Sequence, residues 1–277
     1  MMFISQFKTA VLLAGLSAIL LFLGYVIGSY NGLTVALFIA IVFNIITYFF
    51  SDKIVLAMYR AKPLKDESIK ELIRSVASKA KIPMPKPYII PTMTPNAFAT
   101  GRNPRHAAIA LTEGIISLLS KEELKGVIAH EIAHIKNRDI LIQTVAATIA
   151  TAISYIAFML RFAAFAGSRD RDAGNAIALL ALGILTPIIA MIIQLAISRA
   201  REYLADETGA RIIRNPTALA NALMKLEQAN KLHPMHGNPT TSSLFIVNPF
   251  SARGLFTLFM THPPIQKRIE RLKRIKI

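Results

Sequence analysis

The stretch His130-Glu131-Ile132-Ala133-His134 determines how the rest of this sequence is interpreted, because it places two imidazoles four residues apart. Ser120 followed by Glu123 matches a capping box, which predicts a helix that begins here and runs through both histidines. On that helix the imidazoles lie one turn apart on one face, where both can bind a single tetrahedral zinc ion. Glu131 is rotated by about 100° from His130, which suits a base acting on a metal-bound water better than a third ligand.

H-E-x-x-H is short and arises by chance in unrelated chains, so the motif alone does not establish a metal site. A third candidate ligand elsewhere in the sequence would support one. The segment from Ser198 to Asp206 offers Glu202 on a predicted helix, with Asp206 one turn further on the same face. A His, His, Glu set leaves one zinc position open for water, as catalytic sites do. Asp206 is predicted to accept a hydrogen bond from a ligand imidazole. The alternative is a surface carboxylate paired with Arg199 or Arg201.

These motifs resemble those of the HtpX-type membrane zinc endopeptidases, which are relatives of the CAAX prenyl endopeptidases. The matching features are H-E-I-A-H at 130–134, Glu202 in R-E-Y-L-A-D 68 residues after His134, P-N-A-F-A-T-G at 95–101 and T-H-P-P at 261–264. The resemblance implies a zincin-like catalytic domain, and protein quality control on damaged or misassembled membrane proteins. It also implies that Asn96 and Ala97 lie beside the metal and contact substrate.

Four long apolar runs predict a mainly α membrane protein with four transmembrane helices and a cytoplasmic α+β catalytic domain. Residues 1–50 form a transmembrane hairpin with spans at about 9–27 and 33–50. A second pair lies within 140–198, with spans at about 140–160 and 176–198. Residues 51–139 and 199–277 are then the two parts of the catalytic domain. A signal peptide is the alternative for the first run, and a buried soluble helix is the alternative for the third.

The distribution of lysine and arginine predicts the orientation. Residues 51–139 carry 15 of them and residues 199–277 carry 13, whereas the connection at 29–32 has none. Both basic segments therefore face the cytoplasm of a multi-pass protein in the cell membrane. On a helix that continues from His134, this ligand lies roughly 9 Å from the start of the third span, so the metal site is expected close to the membrane surface.

Net charge and composition limit the partners and the metal ligands of this protein. The net charge of +16 is spread over two segments without a nucleic-acid-binding motif, so it indicates attraction to the lipid bilayer and not to nucleic acid. The absence of cysteine leaves histidine, aspartate and glutamate as metal ligands.

The remaining elements are predicted from local patterns. An amphipathic helix is expected at 66–80, followed by short strands at 88–90, 97–100 and 107–112. One edge of this sheet can bind an extended substrate, although the sheet can equally serve only as a scaffold. Helices are expected at 216–231 and 264–277, the last docking on the catalytic domain or on anionic lipid. Between them, residues 233–253 form either a mobile cover over the cleft or a plain loop.

The sequence thus predicts a membrane-embedded zinc endopeptidase with one zinc ion per chain, held by His130, His134 and Glu202. Glu131 takes a proton from the attacking water, and protein substrates are cut near the cytoplasmic membrane surface. Tyr203 and His262 are candidates for stabilising the oxyanion, with packing an equally good role for either. The alternatives are a zinc-stabilised membrane scaffold without catalysis and a narrow-specificity CAAX-type endopeptidase.

Overall fold

The computed structural model describes residues 55–139, 173–232 and 263–277 without interruption, together with Ile246 and scattered positions at 19–53 and 141–161. The chain divides into two compact units. One contains Met1–Thr47 and Ile142–Ile197, and the other contains Tyr48–Leu141 and Ser198–Ile277.

The first unit contains most of a helix that is apolar enough to cross a membrane. Helix α4 runs from Ala173 to Ile213 without a break at Pro187. An 18-residue stretch within its part from Ile177 to Ile213 has a mean hydropathy of 2.4. Within the described residues, α4 is the one helix that has the length and composition of a membrane span. The predicted spans at 9–27, 33–50 and 140–160 are described only in part, with scattered positions in each.

The second unit contains a mixed four-stranded sheet. Its strands are β1 (Lys62–Pro63), β2 (Lys86–Ile90), β3 (Ala97–Gly101) and β4 (Ala107–Thr112), in the order β1-β2-β4-β3. Strand β4 is parallel to β2 and antiparallel to β3, with Phe98 opposite Ala110. The sequence predicted the last three strands to within two residues but did not predict β1. Because β3 lies at the edge of the sheet, the outward-facing backbone groups of Ala97 find their partners outside the sheet.

The main hydrophobic core lies between the sheet and the helices of this unit, of which the first three along the chain follow here. Helix α1 (Glu67–Ala80) is capped by Asp66, and it buries the six apolar residues expected from its periodicity, namely Ile69, Leu72, Ile73, Val76, Ala77 and Ala80. A short helix α2 (Glu113–Leu118) follows β4. Helix α3 (Lys121–Lys136) packs against α1 and β3, with Val127, Ile128 and Ile132 fully buried. The core therefore holds α3 along most of its length.

Two further helices close this unit. Helix α5 (Pro216–Leu232) starts at Asn215, whose side chain accepts from the Ala218 N–H, and it packs against α3. Helix α6 (Ile265–Lys273) packs against α5 and buries Ile269 and Leu272. Of the two expectations for this basic helix, docking on the catalytic domain is confirmed.

Helix α3 ends sooner than the sequence predicted. It stops at Lys136, Asn137 is its C-terminal cap, and Arg138 has a left-handed backbone with φ of 56°. The prediction of a helix that continues unbroken from His134 toward residue 140 is therefore wrong. The turn has a consequence for the site, because it brings the buried Asp139 back to the His134 side chain.

Candidate metal centre

Helix α3 fixes the two histidines in the core of the second unit. The predicted capping box is present: the Ser120 hydroxyl accepts from the Glu123 N–H, and the Glu123 carboxylate accepts from the Ser120 N–H at 2.8 Å. This reciprocal pair satisfies two backbone donors and sets where the helix begins. The same helix carries His130, Glu131 and His134, which are all buried. Their burial removes competing water and restricts their rotamers.

The two imidazoles and Glu202 from helix α4 converge on one point. The Nε2 atoms of His130 and His134 lie 3.0 Å apart. The Glu202 carboxylate oxygens lie 3.7 Å from His130 Nε2 and 3.4 Å from His134 Nε2. One ligand atom from each of the three residues falls within 4.8 Å of the others. The three residues can therefore share one metal ion.

The donor atoms match a tetrahedral ion in spacing and in chemistry. Zinc bonds of about 2.0–2.1 Å in a tetrahedron separate neighbouring ligand atoms by about 3.3 Å, close to the distances observed here. Each imidazole also has a carboxylate beside Nδ1, which favours the proton on Nδ1 and a bare lone pair on Nε2. Two bare nitrogens and a carboxylate that face one another in a buried site repel each other unless a cation or a proton lies between them. The residues present thus fit a metal ion.

Each metal-facing imidazole has its own carboxylate. Asp206 Oδ1 lies 2.9 Å from His130 Nδ1, and Asp139 Oδ2 lies 2.8 Å from His134 Nδ1. Burial alone lowers the pKa of His134, but its contacts to Asp139 and Glu202 raise it well above the usual range. For His130, by contrast, burial and the neighbouring His134 lower the pKa. The two carboxylates hold their rings in one orientation and supply negative charge behind them.

Each of these carboxylates is in turn bound by a buried arginine. Arg268 on α6 donates from Nε and Nη2 to Asp206 at 2.8 and 2.7 Å, and its Nη1 lies 3.2 Å from Glu202 Oε2. Arg201 on α4 donates to Asp139 Oδ1 and, at 3.0 Å, to the Asn137 carbonyl. Burial raises the pKa of Asp206, but Arg268 and His130 together lower it to about 2. Asp206 is therefore a buried anion and not a surface carboxylate.

The close approach of helices α3 and α4 depends on Gly209. A Cβ atom added at this position would lie 2.9 Å from the Ala129 carbonyl oxygen and 3.0 Å from the His130 nitrogen. These neighbours are backbone atoms of the helix that carries both histidines, so they cannot move aside separately. The absence of a side chain at Gly209 lets the helix with Glu202 approach the helix with His130.

Glu131 lies beside strand β3. Its carboxylate is fully buried and accepts a hydrogen bond from the backbone N–H of Ala99. Burial raises the pKa of Glu131 to about 7, Glu202 adds to this effect, and His134 and the Ala99 N–H oppose it. A carboxyl group with this pKa can both take up and release a proton near neutral pH.

The other predicted site residues occupy different surroundings. Asn96 is fully buried, and its side-chain oxygen accepts from the Ala97 N–H at 3.0 Å. The Ala97 carbonyl accepts from Ile246 N–H at 3.1 Å, and the Ile246 carbonyl accepts from Arg268 at 2.8 Å. Tyr203 is half-buried, with the Arg271 guanidinium 4.1 Å above its ring. His262 and, apart from Ile246, the predicted cover at 233–253 lie outside the described residues.

Three residues of this site, Asp139, Arg201 and Arg268, were not among the site residues predicted from the sequence. Asp139 is only five residues after His134, but the prediction that the helix continues past Lys136 did not allow for its return to the imidazole. Both arginines were counted with the basic residues of the cytoplasmic face. A buried arginine is uncommon, and it becomes recognisable in a sequence only when a buried acidic partner is known.

Comparison with known proteins agrees with this geometry. Residues 63–276 match the family model "Peptidase family M48". The chain is 52% identical to "Protease HtpX homolog" of Thermococcus sibiricus, across 97% of this chain and 95% of the relative. It is 55% identical to the protein of the same name from Thermodesulfovibrio yellowstonii, across 96% of each. The crystal structure of S. mikatae Ste24p has the same fold, with a TM-score of 0.59 and 22% identity over 98% of this chain and 66% of that one.

The family match covers both helices that carry the predicted ligands, and the relatives match over nearly their full length. The geometry and the comparisons agree on one class of enzyme, a membrane-associated metallopeptidase. The chain belongs to peptidase family M48.

Proposed function

We propose that this protein is a membrane-embedded zinc endopeptidase that cuts membrane or misfolded proteins next to the cytoplasmic membrane surface, in protein quality control. The observation that carries the proposal is the convergence of His130, His134 and Glu202, with Glu131 on the helix of the two histidines. Zinc, when bound by these three residues, supplies a Lewis acid and a water of lowered pKa. The remaining steps belong to residues of the chain.

Glu131 is the proposed general base. Its carboxylate is oriented by the Ala99 N–H, and burial poises it to accept a proton from the attacking water and return it to the leaving amine. Asp206 and Asp139 keep the Nδ1 protons of the two imidazoles in place, so that both Nε2 lone pairs point toward the metal. A structural metal site needs no buried base beside it, and this argues against a scaffold without catalysis.

We also assign the outer edge of strand β3 to the substrate backbone, with Asn96 and Ala97 as contacts. The Ala99 N–H bound to Glu131 supports this assignment, because it brings the strand next to the base. An extended peptide added at this edge gains backbone hydrogen bonds that do not depend on its sequence. Both backbone groups of Ala97 already have partners, since its carbonyl accepts from Ile246 and its N–H donates to Asn96 Oδ1. A substrate strand must therefore replace or share these contacts.

The proposed place in the membrane rests on apolar exposure and on charge. Helix α4 presents Ile177, Ile184, Leu185, Ile188, Ile189 and Ile192 on its surface. An exposed apolar stripe of this length is suited to lipid and costs free energy in water. The excess of lysine and arginine at 51–139 and 199–277 favours the cytoplasm for the catalytic part and leaves 167–175 on the outside.

The catalytic proposal is tested with the full-length protein, purified in detergent without metal so that it cannot cut itself. Zinc is then added and cleavage of an unfolded protein substrate is followed for the unchanged chain, Glu131→Gln and Glu122→Gln. Glu122 is an exposed residue of the same helix, paired with Lys125, and serves as the matched control. Zinc-dependent cleavage by the unchanged chain and by Glu122→Gln, but not by Glu131→Gln, is expected. Equal cleavage in all three refutes the assignment of Glu131.

The orientation has its own test, because the chain contains no cysteine and single cysteines can be introduced without background. Glu71→Cys, on the exposed face of α1, is expected to react with a membrane-impermeant thiol reagent only after the cells are opened. Ser168→Cys, in the predicted external turn, is expected to react in intact cells. The opposite labelling pattern contradicts a cytoplasmic site.

A further inference from the structure

Asp139 lies between His134 and Arg201 and contacts each of them with a different oxygen. Its Oδ2 is 2.8 Å from His134 Nδ1, whereas its Oδ1 accepts from Nε of Arg201 and forms an ion pair with Nη2 of the same guanidinium. We propose that Asp139 and Arg201 are positioning residues, which together hold the proton of His134 on Nδ1 and keep its Nε2 free to bind the metal. This inference rests on the proposed function, since it assigns a role toward the proposed zinc ion.

The surroundings leave no substitute for these contacts. The side chains of Asp139 and Arg201 are each 1% exposed, so water cannot replace a lost partner. A guanidinium carries only hydrogen-bond donors, and a carboxylate carries only acceptors. With Arg201 bound to Oδ1, the free oxygen Oδ2 can do nothing at the imidazole except accept a hydrogen. The pair therefore specifies one of the two tautomers of His134.

The backbone explains how two distant residues meet at this imidazole. Helix α3 stops at Lys136, and the left-handed Arg138 turns the chain so that Asp139 returns to His134. Arg201 directly precedes the proposed ligand Glu202 on helix α4, and its Nη2 also donates to the Asn137 carbonyl. One guanidinium thus joins the end of the histidine helix to the helix that supplies the third ligand.

The Asp206 group on the other side of the site is built differently. Asp206 Oδ1 contacts both His130 Nδ1 and Arg268 Nη2, so one oxygen makes the contact to the imidazole and a contact to the arginine. At Asp139, by contrast, the imidazole and the arginine contact different oxygens. Because the two contacts of Asp139 use different oxygens, a substitution can reverse the direction of the hydrogen bond to His134 and keep the hydrogen bond from Arg201.

Asparagine at position 139 makes this reversal. An amide has one acceptor oxygen and one donor nitrogen, and Arg201 can be satisfied only by the oxygen. The amide nitrogen then faces His134 and donates to Nδ1, which moves the imidazole proton to Nε2 and blocks the lone pair meant for zinc. Changing Arg201 to methionine removes the donors, so the amide can turn and its oxygen can again accept from Nδ1. The second substitution is therefore expected to repair the first.

The test is a double-mutant cycle in full-length detergent-purified protein, with Glu131→Gln throughout to prevent self-cleavage. The variants are Asp139→Asn, Arg201→Met and the combination of both. Zinc affinity is measured by competition with a chromophoric chelator, and the unfolding midpoint of each metal-free protein shows that it is folded. Arg211→Met, an exposed residue ten positions further on α4, is combined with Asp139→Asn as the matched control.

Asp139→Asn is expected to weaken zinc binding about 10- to 100-fold, the usual range for partners of metal ligands. Adding Arg201→Met to Asp139→Asn is expected to raise the zinc affinity again by about tenfold or more. Neither Arg201→Met alone nor the addition of Arg211→Met to Asp139→Asn is expected to raise it. No recovery overturns the proposal. Equal gains from Arg201→Met with aspartate and with asparagine at position 139 also overturn it, because they indicate only the removal of a positive charge. If the parent protein binds no zinc at all, the proposed function fails as well.

Discussion

Arg268 binds Asp206, 62 positions earlier in the chain, with two hydrogen bonds of 2.8 and 2.7 Å. Both side chains are buried. The same guanidinium reaches Glu202 at 3.2 Å and the carbonyl of Ile246 at 2.8 Å. The last helix of the chain is thereby tied to the helix that carries the third proposed ligand. Arg268 also supplies the positive charge that Asp206 and Glu202 need in a buried site.

Replacing Arg268 by Gln leaves Asp206 buried without its cation, which is expected to cost about 3–5 kcal/mol of the free energy of unfolding. Denaturant unfolding of the metal-free protein in detergent measures the loss. Lys267→Gln is the control, since Lys267 is exposed on the same helix and its change is expected to stay within about 0.5 kcal/mol. Similar losses in the two variants would show that Arg268 does not stabilise the buried carboxylates.

Gly209→Ala tests the close approach of the two ligand-bearing helices. In a free helix alanine is more stable than glycine by about 1 kcal/mol. Here the added Cβ would lie 2.9 Å from the Ala129 carbonyl oxygen, so we expect a destabilisation of about 1–3 kcal/mol and weaker zinc binding. Thermal unfolding and chelator competition measure the two effects. A more stable protein with unchanged zinc affinity would contradict the packing described for α3 and α4.

The Glu123 carboxylate links the start of α3 to α5 and makes stability depend on pH. Burial raises the pKa of Glu123, but Lys225, at 2.8 Å, and the Ser120 contacts lower it below its ordinary value of 4.5. A lowered pKa in the folded state gives stability that is present above about pH 4.5 and is lost as the pH falls through the folded-state pKa.

In Glu123→Gln the amide still caps Ser120 but loses the ion pair with Lys225. We expect a loss of about 0.5–1 kcal/mol at neutral pH, which shrinks on acidification toward pH 3. The unfolding midpoints of both proteins are compared over this range in the metal-free state. A difference that stays constant with pH would mean that the ion pair does not contribute.

The edge-strand assignment predicts that Ala97→Pro lowers the rate of substrate cleavage while zinc stays bound. Proline removes the Ala97 N–H, which donates to Asn96 Oδ1 here, and places its ring on the outer edge of β3, where the substrate backbone is proposed to lie. Cleavage is measured at several substrate concentrations, together with the zinc content of the same sample. Unchanged cleavage would refute the role of this edge, whereas loss of zinc would show that the substitution damages the site itself.

Sequence patterns predicted those elements of the fold that depend on residues close together in the chain. The capping box at Ser120 and Glu123, the six buried positions of α1 and the strand at 107–112 all follow from residues near one another in the chain. The spacing of His130 and His134 likewise follows from helical geometry, which alone places them on one face.

What the sequence did not reveal depends on contacts between distant residues. Whether Arg268 lies in solvent or in the core depends on where Asp206 lies, 62 residues away, and no periodicity encodes this. The end of α3 at Lys136 was missed although asparagine, as at Asn137, is favoured just past helix ends, because the apolar run that starts at Ile140 suggested a continuing helix. Only the partnership of Asp139 with His134 and Arg201 explains the turn.

The convergence of His130, His134 and Glu202 on one ion is the central claim, and an anomalous difference map at the zinc absorption edge tests it most directly. Crystals of the full-length Glu131→Gln protein loaded with zinc are suitable, because the variant cannot cut itself. We predict one peak per chain, about 2.0–2.2 Å from Nε2 of both histidines and from a carboxylate oxygen of Glu202. A peak elsewhere, or a Glu202 side chain that points away from the two imidazoles, would contradict the account.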